Sequence, residues 1–213
     1  MRRMLWPDTL LALSALGVAL ALRPWRATAR SGPPWPWLAW WLLMPALWGA
    51  DHYVAIPVAQ PLSGACLLML MAGWPLAMLA LLPVAALTML LAGLDAAEAL
   101  HRLVWLGVVP ATLAMTLGAA LRRWLPNHLF VYILGRGFFA TAIAGSLAGA
   151  MSAALHGVPP GLQAPDLLLA RFLAAWGDAF LTGMVVAIFV AFRPRWLATY
   201  ADRIYLLPPE GKA

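Results

Sequence analysis

The chain alternates long apolar runs with short polar links, and this pattern predicts a bundle of membrane-spanning helices. A helix crosses a bilayer with about 20 mostly apolar residues. Seven runs approach or exceed that length, at residues 5–22, 35–50, 56–72, 74–92, 103–121, 129–155 and 167–192. We therefore predict an all-α, polytopic integral membrane protein with about seven transmembrane helices, in one domain over residues 1–206.

Prolines and glycines interrupt the third and fourth runs. Pro57, Pro61 and Gly64 lie in the third run, and Pro75 and Pro83 lie in the fourth. In transporters, such interruptions mark helices that unwind and line a cavity. Proline kinks packed against neighbouring helices explain the same pattern equally well.

The first two runs each allow a second interpretation. Residues 5–22 precede Ala27–Ala29, which resembles a signal-peptide cleavage site, although the length of the run favours a retained helix. Tryptophans cluster in residues 35–50. They indicate an interfacial belt, with a pigment or haem pocket as the alternative.

The composition is typical of a membrane protein, and it indicates that the positive net charge reflects contact with lipid. Of the 213 residues, 64% are hydrophobic and 10% are charged, whereas about 25% charged is usual for a soluble domain. The net charge of +6 would suggest nucleic acid in a soluble chain, but here the arginines flank apolar runs. An anionic lipid leaflet explains them better. We expect a lipid bilayer as partner and no nucleic acid.

Basic residues also predict the orientation. With seven spans, nine basic residues fall on one side of the membrane and four on the other. The positive-inside rule then places the C-terminus in the cytoplasm and the N-terminus outside. The cytoplasmic tail, residues 193–213, is basic and aromatic, so we expect it to lie on the membrane surface. Its anchoring residues are Arg193, Arg195, Trp196 and Arg203.

This orientation gathers histidines and acids at the outer face. The candidate metal ligands there are Asp51, His52, His101 and His156. Imidazole and carboxylate together suit a divalent transition metal such as cobalt, nickel or zinc. No pair has a His-x-x-x-His spacing, and polar residues lie in loops whether or not they converge.

Two charges lie well away from the ends of predicted spans, Arg136 and Asp178. A pair between them would remove two isolated charges from hydrocarbon. Measured from the cytoplasmic ends of their helices, Arg136 lies at about 10 Å and Asp178 at about 20 Å. We predict a direct or water-bridged intramembrane pair, with snorkelling or solvation in a cavity as the alternative. The small residues that follow Arg136, up to Ala150, indicate a closely packed inner helix.

Signatures of catalysis are missing from the sequence. It contains no Gly-x-Ser-x-Gly, no His-Glu-x-x-His, no phosphate loop and no Cys-x-x-Cys-His. Gly135-Arg136-Gly137 lies inside an apolar run, which is unsuitable for a nucleotide loop. We therefore predict that the protein is not an enzyme.

Several stretches share a pattern with one family. They are Gly64–Ala77, Leu106–Pro110, Leu125–Tyr132, Ala179–Met184, Arg193–Trp196 and Asp202–Leu206. The pattern resembles proteobacterial inner-membrane proteins called energy-coupling factor ABC transporter permeases, which are similar to the subunit that captures cobalt or nickel in such systems. The resemblance covers about residues 35–206. It implies a multi-pass inner-membrane component of transition-metal uptake, driven by a separate ATPase and coupling protein.

The polar positions depart from the family pattern. The chain begins Met-Arg-Arg where the cobalt/nickel subunits begin Met-His, and Pro61 stands where the permeases have histidine. Arg102 and Arg136 replace asparagines, and Asp178 replaces a glutamate. These departures leave two hypotheses. The chain is a permease-like subunit for metal uptake, or it is a structural or assembly subunit of a larger respiratory or photosynthetic complex that reuses the fold without transport.

Overall fold

The structure is a computed structural model that describes residues 5–25, 35–53, 60–158 and 161–200. Within these ranges every regular element is a helix. The helices are α1 (Leu5–Ala21), α2 (Trp35–Trp48), α3 (Ala50–Tyr53), α4 (Ala65–Ala72), α5 (Trp74–Ala92), α6 (Ala96–Trp124), α7 (Val131–His156) and α8 (Ala164–Phe192), and a 3-10 turn (Pro194–Trp196) follows α8.

Four of the described helices, α5 to α8, are long and apolar enough to cross a membrane. They confirm the prediction of an all-α membrane protein for this part of the chain. α6 begins before the predicted span, because residues 96–102 of the predicted polar link continue into the helix. α1 is apolar but has only 17 residues.

The second and third predicted spans differ most from expectation. α2 ends at Trp48, and the separate turn α3 carries Asp51 and His52. In the third run, residues 56–59 lie outside the described residues, and of residues 60–72, which the structure describes, only the eight of α4 are helical. Gly64, directly before α4, has a φ of 66°. Glycine adopts this left-handed conformation without steric cost, so the helix begins where the sequence permits the turn.

Tryptophans of α2 hold the non-helical segment before α4. The indole N–H of Trp40 donates to the Gly64 carbonyl at 2.9 Å, and that of Trp48 donates to the Ser63 carbonyl at 2.7 Å. Trp48 is fully buried, whereas Trp35 is 83% exposed. The exposure of Trp35 is compatible with the predicted interfacial belt. Trp40 and Trp48 instead donate hydrogen bonds to the backbone of the segment before α4.

Pro110 changes the hydrogen bonding of α6. The helix is π-helical over Leu103–Val108, and this segment ends two residues before the proline. Proline has no N–H, so the Leu106 carbonyl four residues earlier loses its usual donor. The Ser63 hydroxyl donates to that carbonyl at 2.5 Å. This bond ties α6 to the segment before α4.

α7 and α8 share the most extensive helix interface of the described residues. A Cβ added at Gly145 would lie 2.9 Å from the Ala175 Cβ, and one added at Gly149 would lie 3.0 Å from the Arg171 Cβ. Glycines at these positions let the two backbones approach closely. The expected close packing is found along α7, while residues 125–128 before it are exposed and non-helical.

The chain after α8 returns to the end of α4. The N–H groups of Ala198 and Thr199 donate to the carbonyls of Met71 and Leu70 at 3.1 and 3.3 Å. Leu197 beside them is buried. The first part of the predicted surface tail therefore packs against the bundle, and residues 201–213, with Arg203, lie outside the described residues.

Candidate metal centre

Asp8 is the only charged residue of α1, and it is completely buried. A carboxylate in such a place needs partners. His101 Nδ1 lies 3.2 Å from its Oδ2, and His156 Nε2 lies 3.0 Å from its Oδ1. The indole N–H of Trp105 donates to Oδ1 at 2.8 Å. We call Asp8, His101, His156 and Trp105, with Ser152, whose contact is described below, the Asp8 cluster.

Three helices bring the cluster together. His101 and Trp105 are four residues apart on α6, so they share one face of that helix. His156 is the last residue of α7, and Asp8 lies in the first turn of α1. The rings of His101 and His156 meet edge to face with centroids 4.7 Å apart. The Asp8 cluster thus lies where the start of α1 and the end of α7 meet the first turns of α6.

The donor atoms of Asp8, His101 and His156 fit one metal ion. One ligand atom from each lies within 4.8 Å of the other two. In a tetrahedral zinc site with bonds of about 2.0–2.1 Å, neighbouring ligand atoms are about 3.4 Å apart, close to the 3.0 and 3.2 Å found here. Two imidazoles and a carboxylate are also suitable donors for nickel and cobalt.

Two further side chains support these donors. Trp105 orients the Asp8 carboxylate through its N–H bond. Ser152 Oγ lies 3.5 Å from His101 Nε2, the ring nitrogen that faces away from Asp8. Such outer partners fix the ring orientation and tautomer of a metal-binding histidine. The group therefore has both a donor set and the beginning of a supporting shell.

A second polar cluster surrounds Arg102, the residue after His101. Its Nη1 and Nη2 donate to the two carboxylate oxygens of Asp51 at 2.8 and 2.6 Å, and its Nε donates to Glu98 at 3.1 Å. Nη1 also donates to the Trp48 carbonyl. His52 Nδ1 lies 3.1 Å from the Asp51 carboxylate. We call Arg102, Asp51, Glu98 and His52 the Arg102 cluster.

The two clusters divide the four predicted metal ligands. His101 and His156 come together around Asp8, whereas Asp51 and His52 belong to the Arg102 cluster, because the guanidinium binds Asp51 in a bidentate manner. Sequence reasoning missed Asp8. The available signal was that Asp8 is the single charge in an otherwise apolar run.

The Arg102 cluster sets the protonation of Asp51. Burial raises the pKa of this carboxyl. The hydrogen bonds from Arg102 and His52 and the positive charge of Arg102 lower the pKa, and together they outweigh the effect of burial. The net pKa of Asp51 lies below its ordinary value. Asp51 is therefore ionised at neutral pH and is already paired with the Arg102 guanidinium.

The structure does not bring Arg136 and Asp178 together as an ion pair. The Arg136 guanidinium lies over the Tyr132 ring, 5.4 Å from its centroid, and packs against Gly118 of α6. Asp178 instead accepts a hydrogen bond from the Gly64 N–H at 2.9 Å. The two side chains face different neighbours, α6 for Arg136 and the start of α4 for Asp178, which depth along the helices does not reveal.

The described anchoring residues lie at the end of α8. Arg193 Cζ lies 6.0 Å from the centroid of the Trp196 ring, and that ring meets Phe189 edge to face at 5.2 Å. Arg195 is exposed. This aromatic and basic arrangement is typical of a membrane interface.

Comparison with protein-family models, curated proteins and solved structures finds no match to this chain.

Proposed function

We propose that this protein is a multi-pass subunit of a bacterial inner-membrane system for transition-metal uptake, and that it binds the ion through Asp8, His101 and His156. The convergence of these three donors from three helices is the observation that carries the proposal. They are far apart in the sequence, so local composition does not account for their meeting.

The number of donors suits an ion that binds and leaves. Structural zinc sites are closed by four protein ligands, whereas sites with three protein ligands keep one position open for another group. Within the described residues the Asp8 cluster offers three such donors. An open position allows a carried ion to exchange its ligands, which uptake requires.

The charge of the cluster favours a cation. Asp8 has no lysine or arginine within ion-pair distance among the described residues. With neutral imidazoles the cluster carries one negative charge, and a divalent cation would neutralise it at a buried position. A metal supplies there a Lewis-acidic centre with its own charge, so the imidazoles remain unprotonated when it is bound.

The full topology is part of this proposal. With α1, α2 and the third run counted as spans, the chain has seven, and the basic residues then favour an outside N-terminus. This orientation puts the Asp8 cluster at the outer face, where an imported ion arrives. A coupling protein and an ATPase would be the partners, as the family resemblance implies.

Metal binding by the purified protein tests the proposal. We expect metal-free protein in mild detergent to retain zinc, nickel or cobalt after desalting, as measured by elemental mass spectrometry. His156→Ala should weaken binding by at least about 100-fold, beyond the 10–100-fold typical for loss of a supporting residue. His52→Ala is the matched control, because it removes a histidine from the Arg102 cluster, and its affinity should equal that of the wild type.

Two results would reject the proposal. One is equal metal retention by the wild type and His156→Ala. The other is no retention of any of the three metals by folded wild-type protein. If the protein without metal co-purified with a stoichiometric respiratory or photosynthetic membrane complex, the structural or assembly role would take its place.

A further inference from the structure

A small cavity lies beside the start of α4, at the depth of the middle of α8. The chain is not helical over Gln60–Ser63, and the helix begins only after Gly64. Irregular backbone at membrane depth is tolerated where it is buried in protein or lines a water-filled cavity. Gln60 and Ser63 both line this cavity, so the interruption of the helix and the cavity belong together.

Asp178 extends into this region from α8. It is 14 residues from each end of the helix, which is about 21 Å from either end. Only 4% of the residue is exposed. Its Oδ1 accepts the Gly64 N–H, and Asp178 also lines the cavity. The carboxyl group thus lies deep in the bundle, in contact with both the start of α4 and the cavity.

No cation neutralises Asp178 in the described residues, because the ion pairs there involve only Asp8, Asp51 and Glu98. Two other titratable groups face it. Cys66 of α4 is close and buried. Arg171 lines the same cavity from α8, seven residues away and about 10.5 Å along the helix axis, and its Nη1 donates to the Gly149 carbonyl at 2.5 Å.

Among the described residues, the other walls of the cavity bring no titratable group to Asp178. α6 contributes Trp105, Leu106 and Pro110, and α7 contributes Gly145 and Gly149. The cavity measures about 30 Å³ for the centre of a water-sized sphere, and about 10–15 Å³ is enough for one ordered water. It therefore has room for water next to the carboxyl group.

We propose that Asp178 is a reversible proton-binding site that exchanges its proton with water in this cavity. An isolated carboxylate inside a membrane span is unfavourable, and intramembrane acids commonly serve in proton relays. Protonation removes the charge without a partner side chain, and the Gly64 N–H and the cavity water stabilise the ionised form when the proton leaves. This inference is independent of the metal proposal, since it uses none of the three donors Asp8, His101 and His156, and only the Trp105 side chain is shared between the Asp8 cluster and the cavity wall.

The competing interpretation is a permanent structural role. A carboxylate at the first N–H groups of a helix favours the helix electrostatically, and Asp178 could remain ionised as a cap for α4. The two interpretations differ in one observable property. A proton-binding site is populated as the neutral acid over part of the accessible pH range, and a permanent cap is not.

Reaction with dicyclohexylcarbodiimide distinguishes them, because this apolar reagent modifies protonated carboxyl groups inside membranes. The acid proton moves to a carbodiimide nitrogen while the carboxylate oxygen bonds to the central carbon, and rearrangement leaves a stable N-acylurea. We expect the wild type in lipid vesicles to be labelled on Asp178, as located by peptide mass mapping, and the labelling to fall as the pH is raised.

Two variants on the same helix complete the experiment. Asp178→Asn should lose the label, and Asp166→Asn should keep it, because Asp166 is exposed in the first turn of α8. Peptide mapping of the labelled wild type locates the modified residue by itself, so the experiment remains informative even if Asp178→Asn fails to fold. Absence of label on wild-type Asp178, or labelling that does not change with pH, would overturn the proposal.

Discussion

The Asp8 and Arg102 clusters lie side by side, and the consecutive residues His101 and Arg102 of α6 belong one to each. In the Arg102 cluster a permanent cation is bound by two carboxylates and a backbone carbonyl, so its main charges are already paired. In the Asp8 cluster a carboxylate meets two imidazoles, whose charge depends on protonation or on a bound ion. In the Arg102 cluster the cation is already present as a side chain, whereas the Asp8 cluster has the composition of a site that accepts a cation.

Burial strengthens this difference. The side chain of Asp8 is completely buried, and that of His156 is 7% exposed. In the Arg102 cluster the exposed fractions are 20% for Asp51 and 23% for Glu98. Charge is more costly where less water reaches it. The Asp8 cluster, to which the described residues contribute no lysine or arginine, is therefore also the one in which a missing cation matters more.

The largest effect should come from breaking the Arg102 cluster. Arg102→Met keeps an apolar stem but removes the guanidinium that binds Asp51 and Glu98 and that donates to the Trp48 carbonyl. We expect the free energy of unfolding to fall by about 3 kcal/mol, the lower end for a broken buried pair, because both acids are partly exposed. Reversible unfolding in mixed detergent micelles would measure it.

The control for this variant is His52→Ala, because His52 is 42% exposed at the edge of the same cluster. Its effect should stay within about 0.5 kcal/mol, as for most surface substitutions. A loss below about 1 kcal/mol in Arg102→Met would show instead that the pair behaves as a surface salt bridge.

An intermediate effect should follow from pH. The pKa of Asp51 is lowered in the folded protein, so its stabilising contribution is fully present above the unfolded pKa of about 3.9. That contribution is lost as the pH falls through the lower folded pKa. We expect the stability difference between the wild type and Asp51→Asn to be constant near neutral pH and to shrink under acid conditions. A difference that did not change with pH would mean that the Asp51 charge does not stabilise the fold.

The smallest effect concerns the support of the Asp8 cluster. Ser152 Oγ is 3.5 Å from His101 Nε2, at the outer limit of hydrogen bonding. Ser152→Ala should therefore weaken metal binding by less than about tenfold, which corresponds to less than about 1.4 kcal/mol. Competition with a chelating dye would measure it against the wild type. A loss as large as that of His156→Ala would identify Ser152 as a direct ligand.

Sequence reasoning predicted the elements whose signal is local. Long uniform apolar runs gave the positions of α7 and α8 to within a few residues, and Gly64 with the nearby prolines indicated the interruption before α4. The clusters depend on contacts across the chain. Asp8 meets residues 93 and 148 positions away, and no local pattern shows which face of α1 it occupies. The Arg136–Asp178 pair was predicted from depth alone, and depth does not determine which neighbouring helix a side chain faces.

The hydrogen bonds at the two ends of α4 have a consequence for how the protein is made. The Gly64 N–H directly before this helix donates to Asp178, and the Leu70 and Met71 carbonyls near its end accept from Thr199 and Ala198, and these partners are all encoded more than 100 residues later. Chains emerge from the ribosome N-terminus first. The hydrogen bonds of Gly64, Leu70 and Met71 to these partners therefore form only after α8 and the residues that follow it have been synthesised. A nascent chain that ends before α8 therefore lacks the hydrogen-bond partners of the Gly64 N–H and of the Leu70 and Met71 carbonyls.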